Sequence, residues 1–288
     1  ELPESMIIVG SGAIGCDFAW VYAALGVKVT VVEYLAQMLP LADEEVSRTL
    51  ERSFRKMKAT VLTATGVKAV RVTDEGCEVD IEGKKGAETL RADVVLSAVG
   101  VKSNIEGLGL EELGVKVERD KVVVDDYFRT SVEGIYAIGD IVATPALAHV
   151  ASAEASVCVE AICGEKPTPI DYTTIPSCVY TTPEVAMVGL TEKQALEQGY
   201  EIKVGKYQFM ASGKATAAGD RDGFVKLIYD AKSETLLGAH IIGASVTEML
   251  GEPAMAKRLG ITARQIASTV HSHPTMYEGL LEATEEIL

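Results

Sequence analysis

One hexapeptide, Gly10-Ser11-Gly12-Ala13-Ile14-Gly15, constrains this chain more than any other stretch, because of what flanks it. Met6 to Val9 is a short apolar run of β character. A helical stretch through Leu25 follows the glycines, Gly26 ends it as a C-cap residue should, and Val27 to Val32 is a second β-run closing on Glu33. Strand, glycine turn, helix and strand within about thirty residues is the context that makes a GxGxxG informative. Glycines let the backbone of Gly10 to Gly15 approach a pyrophosphate, and the helix that follows turns its free N–H groups and positive end toward the anion. Glu33, at the tip of the second strand, can accept from both hydroxyls of an adenine ribose and would repel a 2′-phosphate, so the expected cofactor is NAD rather than NADP. The plainer alternative is a glycine turn that only packs helix on strand.

Beyond this unit the pattern stays α/β for about a hundred residues. Asp43 to Lys58 reads as an amphipathic helix, Val67 to Ile81 as a β-meander broken at Asp74-Glu75-Gly76, and Asp93 to Val99 as a buried strand ending in Gly100. From Lys116 the pattern changes to a short β-segment, Val122 to Val124, and then Gly134-Ile135-Tyr136-Ala137-Ile138-Gly139-Asp140. A long helix follows, with Thr144 expected as N-cap, Pro145 at the first helical position and Gly164 just past the end. Pro167 and Pro169 mark a boundary. From about Asp171 β-runs (Phe224 to Tyr229, Leu236 to Ile242) alternate with helices, two of them opened by capping boxes at Thr191-x-x-Gln194 and Thr262-x-x-Gln265. The expectation is an α/β Rossmann-like domain over 1–115, a connecting segment over 116–170 and an α+β domain over 171–288, in line with a length of 288 residues at roughly 150 per domain.

Composition narrows the function classes. A net charge of −15 repels phosphate backbones and anionic lipid, so neither nucleic-acid binding nor docking on a membrane surface is expected. No apolar run is long enough to cross a bilayer. The N-terminal Glu1-Leu2-Pro3-Glu4 shows no leader, and without an initiator methionine the sequence reads as a piece of something longer. Five cysteines without a CxxC pair suit a reducing compartment, cytoplasmic or an organellar matrix. Cys158 and Cys163 have a C-x4-C spacing, but on a helix such residues point about 140° apart and lie beyond the ~7 Å bridging limit. They are expected to be two buried thiols.

Gly139-Asp140 ahead of a helix places a carboxylate and several N–H groups beside one cavity, which suits a polyol chain and an electron-rich ring as well as a simple turn. The C-terminal stretch His271-Ser272-His273-Pro274-Thr275-Met276-Tyr277-Glu278 admits three readings. Thr275-x-x-Glu278 can be a capping box with incidental histidines. The HxH pair can bind a metal with a third ligand from His149 or His240, although no spacing supports one, and no metal is expected. Or Pro274 turns the chain so that Glu278 returns to His273, fixes its tautomer and makes it a general base.

These motifs in this order, GSGAIG with Glu33, then GIYAIGD followed by Ala146-Leu147-Ala148-His149, then HSHPTMYE, closely resemble the flavoprotein pyridine nucleotide-disulfide oxidoreductases, and in particular the members that oxidise dihydrolipoamide. The resemblance covers essentially the whole chain. It implies an NAD domain, the closing segment of an FAD domain (116–170), and an interface domain (171–288) that builds a homodimer. Gly10, Ser11, Gly12, Ala13, Ile14, Gly15, Cys16 and Asp17 would hold the NAD pyrophosphate, Glu33 its ribose, and Val67 and Gly100 would line the adenine and nicotinamide sides. Asp140 would accept from the flavin ribityl chain, with Ala146, Leu147, Ala148 and His149 against the flavin ring. His273, oriented by Glu278, would take a thiol proton, acting across the dimer, and the partners implied are lipoyl domains of 2-oxo acid dehydrogenase complexes.

Two departures stand out. Asp17 occupies a position where this family more often has glutamate. The family also begins with an FAD-binding GxGxxG and a C-x4-C redox disulfide, and this sequence contains neither, so it looks like a C-terminal part that would be inactive alone. Two other readings stay open: a non-catalytic NAD(H)-binding dimerisation module, and a glutathione reductase relative, which Glu33 disfavours because those enzymes mostly use NADPH and need cations there.

Overall fold

The computed structural model describes residues 1–288. Two units emerge, one formed by Glu1–Val99 with Pro176–Leu288 and the other by Gly100–Ile175.

In the first unit, β1 (Ser5–Val9) and β2 (Lys28–Val32) run parallel, with Ser5 opposite Lys28 and Val9 opposite Val32. The crossover between them is α1 (Ala13–Ala24), which buries the small residues Gly15, Cys16 and Ala19 and so lies close to the sheet. Gly26, at φ +88, follows its end as expected. Next come α2 (Glu44–Lys56), β3 (Thr60–Leu62), the meander β4 (Gly66–Thr73), β5 (Gly76–Gly83) and β6 (Gly86–Ala92), then β7 (Val94–Ser97). The parallel sheet has the order β3-β2-β1-β7. Val46, Leu50 and Phe54 recur every four residues and bury one face of α2. Asp43 caps that helix, with Glu44 and Glu45 in its first turn and Arg55 and Lys56 in its last, charges that complement the dipole.

The second unit holds β8 (Val117–Glu118), β9 (Lys121–Val122), a 3-10 turn at Gly139–Ile141 and α3 (Ala148–Ile162). Here the expected helix start is wrong by three residues. Leu147 is extended (φ −138°, ψ 135°) and its carbonyl accepts from Val150 and Ala151, so Pro145 and Ala146 form a turn ahead of the helix rather than its first residues. Thr144 caps nothing, and its buried Oγ1 has no hydrogen-bond partner. Cys158 is buried as expected, but Cys163, the C-cap of α3, is exposed.

The first unit then resumes with β10 (Ser177–Val179), β11 (Glu184–Gly189), α4 (Glu192–Glu197), β12 (Ile202–Gln208), α5 (Gly213–Ala218), β13 (Phe224–Asp230) and β14 (Leu236–Gly243). These strands form an antiparallel sheet in the order β10-β11-β14-β13-β12. The chain ends in α6 (Gly251–Leu259), α7 (Ala263–Ala267) and α8 (Glu278–Glu285). Both expected capping boxes, Thr191 with Gln194 and Thr262 with Gln265, are formed. Every residue of β14 is buried, because elements cover both faces of the central strands. One apolar cluster carries residues of α1, α2 and β2 together with Val179, Val185, Phe224 and Ile242, so both segments of this unit share a core.

Two polar side chains sit inside that core, opposite each other on β13 and β14. Lys226, 2% exposed, donates to both oxygens of Asp43 (3.0 and 3.1 Å), to Glu45 Oε1 (3.1 Å) and to Glu192 Oε2 (2.6 Å). Burial works against its charge, and the carboxylates of Glu192, Asp43 and Glu45 more than offset it, leaving the pKa raised. His240 bonds Leu190 O through Nε2 at 2.9 Å, and burial holds its pKa down. No helix of the chain is long and apolar enough to cross a membrane.

Candidate functional site

The glycine loop divides into two roles. A Cβ on Gly15 would lie 2.1 Å from Gly10 O, and one on Gly10 (φ +95°) 2.5 Å from Ala98 O, so these glycines serve the close approach of helix, loop and strand. A Cβ on Gly12 would meet nothing within 4 Å, and no side chain caps the first turn of α1. The open space and uncapped N–H groups of Gly12, Ala13 and Ile14 therefore fit a pyrophosphate. Cys16 is turned the other way, wholly buried with Sγ on Ser11 O at 3.2 Å, where burial and the nearby charge of Asp17 keep its thiol strongly protonated.

Glu33 sits just past β2 and is 6% exposed. Its Oε2 accepts from Ser11 N and Ser11 Oγ, both at 2.8 Å, and its Oε1 from Leu35 N at 2.7 Å. With two lone pairs per oxygen, one acceptor position on Oε1 remains. The sequence reading gave this carboxylate to the ribose hydroxyls; in the structure it also clamps the glycine loop to the strand. Asp17 accepts from Tyr180 N at 2.9 Å, and burial raises its pKa. Val67 is half-buried at the start of β4 against the cluster containing Ile7 and Val32, and Gly100 is exposed at φ +135° with open space around it.

In the second unit the turn carrying Asp140 is fastened by a residue that sequence reasoning missed. Glu154 of α3, fully buried, accepts from Gly139 N at 2.6 Å and from Tyr172 OH at 2.9 Å, while Asp140 O accepts from Lys121 Nζ at 2.8 Å. Burial and the Glu154 carboxylate push the Tyr172 phenol up. The Asp140 side chain is left exposed, as are Ala146, Ala148 and His149, with Leu147 half-buried. No side chain caps α3. An exposed carboxylate, an uncapped helix N-terminus and the unpartnered Thr144 Oγ1 fit a hydroxylated, electron-rich ligand such as a flavin cofactor.

At the C-terminus, His273 Nδ1 lies 2.6 Å from Glu278 Oε1, and Thr275 N donates to Glu278 Oε2 at 2.9 Å. A carboxylate can only accept, so Nδ1 carries a proton, and in the neutral form of the ring the free lone pair falls on Nε2, on a side chain that is 78% exposed. The hydrogen bonds from His273 and Thr275 hold the Glu278 carboxyl below its usual range. Only half of a capping box forms, since Thr275 Oγ1 donates to Ser272 O instead and α8 begins at Glu278 itself. The HxH metal geometry does not arise: His271 turns to Glu252 on α6, at 3.0 Å, and no group of three His, Cys, Asp or Glu side chains is arranged to hold an ion. The structure thus brings Ser11 to Glu33 and His273 to Glu278. The His271–Glu252 and Gly139–Glu154 pairs had no spacing signal, although the double histidine drew attention to the first.

Residues 1–155 match the family described as pyridine nucleotide-disulphide oxidoreductase, and residues 175–284 match that family's dimerisation domain. A dihydrolipoyl dehydrogenase of Chlorobaculum tepidum is 48% identical over 290 residues, covering 100% of this chain and 62% of the relative. One of Mycobacterium tuberculosis is 45% identical over 286 residues, covering 98% and 61%. Among solved structures, LpdA from Mycobacterium tuberculosis superposes with a TM-score of 0.91 at 28% identity, over 100% of this chain and 62% of that one. The HOCl-induced flavoprotein disulfide reductase RclA from Escherichia coli gives 0.88 at 26%, over 100% and 65%. The chain therefore spans about three fifths of the length of the curated relatives it matches, 62% and 61% of the two named.

Proposed function

Since the chain belongs to the pyridine nucleotide-disulphide oxidoreductase family, we propose that it serves in a dihydrolipoyl dehydrogenase reaction, oxidising dihydrolipoamide with electrons passing through a disulfide and FAD to NAD+. The observation that carries this is the His273–Glu278 pair, with its basic nitrogen exposed on the dimerisation segment. The curated relatives at 42–48% identity that bear the dihydrolipoyl dehydrogenase name support the choice of substrate.

Each residue's part follows from its chemistry. Nε2 of His273 takes the proton of a dihydrolipoamide thiol, leaving a thiolate, and Glu278 stabilises the resulting imidazolium through the Nδ1–H bond while its second oxygen stays fixed on Thr275 N. Gly10, Ser11, Gly12, Ala13, Ile14, Gly15 and the backbone of Cys16 and Asp17 form the cradle for the NAD pyrophosphate. Glu33 takes one adenine-ribose hydroxyl and disfavours a 2′-phosphate, with Val67 on the adenine side and Gly100 on the nicotinamide side. Asp140 would accept from ribityl hydroxyls, and Ala146 and Leu147 with the start of α3 at Ala148 and His149 would lie against the flavin ring, where the helix dipole favours negative charge. FAD, when bound, supplies the two-electron relay between a thiol pair and the nicotinamide. Residues 1–115, 116–170 and 171–288 are assigned to NAD binding, FAD binding and the subunit interface. The assembly is a homodimer that works on lipoyl domains of 2-oxo acid dehydrogenase complexes, in the cytoplasm or an organellar matrix.

The test is steady-state oxidation of dihydrolipoamide by the full-length, flavin-loaded protein with NAD+ and with NADP+. Turnover with NAD+ preferred is the expected result. A yellow protein that reduces glutathione disulfide with NADPH and leaves dihydrolipoamide untouched would discard this reading.

A further inference from the structure

Resting on the reading of His273 as the thiol base, we infer that His271 is a positioning residue for it, anchoring through Glu252 the loop that presents the base. Between α7 and Thr275 every residue from Ser268 to Pro274 is exposed except His271, whose side chain is 6% exposed. Thr269 is tied back to α7 through Gln265 O at 2.9 Å, and Thr275 is tied forward to Glu278. Across the intervening Val270 to Pro274, His271 is the one side chain that enters the fold. Its Nε2 lies 3.0 Å from Glu252 Oε1 and its Nδ1 2.8 Å from Thr269 O.

Both partners accept, so both ring nitrogens act as donors, which only the doubly protonated imidazole provides. Burial opposes that charge, and the Glu252 carboxylate and the Thr269 carbonyl together raise the His271 pKa against it. The charged or titratable groups around this loop are Glu252 from α6, Glu248 from the turn before it, Tyr277, whose OH donates to Glu248 O at 2.8 Å, and the dyad itself. Glu252 stands in the first turn of α6, whose C-terminal part lies on the antiparallel sheet through buried Ala256, so the anchor is rigid. An imidazole two residues from the base thus fixes where Nε2 of His273 stands, with no role in the proton transfer.

The experiment compares His271→Ala and His271→Gln in the full-length, flavin-loaded protein. Measured are kcat and KM for dihydrolipoamide, flavin content, and NADH oxidation by ferricyanide, an acceptor that needs no thiol chemistry. His271→Ala is expected to lower kcat about 10- to 100-fold, the range for a misplaced catalytic group, with KM, flavin content and the ferricyanide rate near the parent's. His271→Gln, which keeps an N–H donor toward Glu252, is expected to recover most of the loss. An unchanged kcat in His271→Ala overturns the inference, as does a parallel fall of flavin content and ferricyanide rate, which marks a residue needed for folding alone. His273→Gln run alongside separates the two readings: if it fails to slow dihydrolipoamide oxidation, the base assignment falls on its own account.

Discussion

Lys226, in the middle of β13, and Asp43, the N-cap of α2, lie 183 positions apart in sequence and meet at 3.0 Å with side chains 2% and 3% exposed. The pair ties the segment that follows the glycine-loop βαβ unit to the antiparallel sheet. Glu45 and Glu192, both partly exposed, also bond the Lys226 ammonium, and Glu45 is shared with Lys206. Removing the cation is the costly change, because it leaves the buried Asp43 carboxylate without its partner beside two further acidic side chains. Lys226→Met is expected to lower stability by about 3–5 kcal/mol, the range for breaking a buried pair from one side. Asp43→Asn keeps a capping side chain and leaves two carboxylates on the lysine, so about 1–2 kcal/mol is expected. Urea unfolding of both variants and the double mutant checks this, with the double mutant losing less than the sum. A Lys226→Met midpoint equal to the parent's would show that the cluster contributes nothing net.

The two glycine roles make opposite forecasts. At Gly15 an added methyl would sit 2.1 Å from a backbone oxygen that has no freedom to move, so Gly15→Ala should distort the loop and lower both melting temperature and NADH affinity. At Gly12 the methyl meets no protein atom and instead fills the space left for a pyrophosphate. Gly12→Ala should therefore keep the parent's melting temperature while weakening NADH binding roughly ten-fold or more, about 1.4 kcal/mol. Thermal unfolding and fluorescence titration with NADH separate the two, and a Gly12→Ala protein that binds NADH like the parent would remove the cradle from that face of the loop.

What was legible in the sequence was local. The βαβ unit around GSGAIG, the Gly26 helix end and the Thr191 and Thr262 capping boxes are each decided by residues within a few positions of one another, and all are formed. The start of α3 misled because Thr144-Pro145 carries a strong local start signal, while the extended Leu147 delays the helix until Ala148. Long-range polar pairs left no trace at all. A lysine within Phe224 to Tyr229 reads as an ordinary alternation until Asp43 and Glu45 arrive from elsewhere, and Glu252 lies 19 residues before His271 at no helical or strand spacing. For Glu33 the position was legible and its clamp on Ser11 was not, since one acceptor can serve both a ligand and its own loop.

That double duty shapes the cofactor experiment. Glu33→Arg removes the negative charge that disfavours a 2′-phosphate and adds a cation, so the ratio of kcat/KM for NADPH over NADH should rise by at least about ten-fold. It also strips Ser11 N, Ser11 Oγ and Leu35 N of their acceptor, at about 1–3 kcal/mol for each donor left unsatisfied. The variant should therefore melt lower than the parent while changing preference. A lower melting temperature with an unchanged coenzyme ratio would leave Glu33 a loop clamp only.

The dyad makes the sharpest forecast. His273→Gln removes the exposed basic nitrogen and should slow dihydrolipoamide oxidation by roughly two to four orders of magnitude, the range for a general base, with normal flavin content and an unchanged ferricyanide rate. Glu278→Gln retains an oxygen for Nδ1–H but no charge for the imidazolium, so dihydrolipoamide oxidation should fall here too, by up to about four orders of magnitude. The carboxyl of Glu278 is held down by His273 and Thr275, so its ionised form, and with it the dyad, persists above the ordinary carboxylate value near 4.3 and is lost only as pH falls through the depressed one. A kcat profile for the parent taken from pH 5 to 9 should accordingly show no limb belonging to Glu278. Activity that survives His273→Gln at the parent's level would place the thiol base on some other residue and leave this imidazole and carboxylate as a helix-start contact.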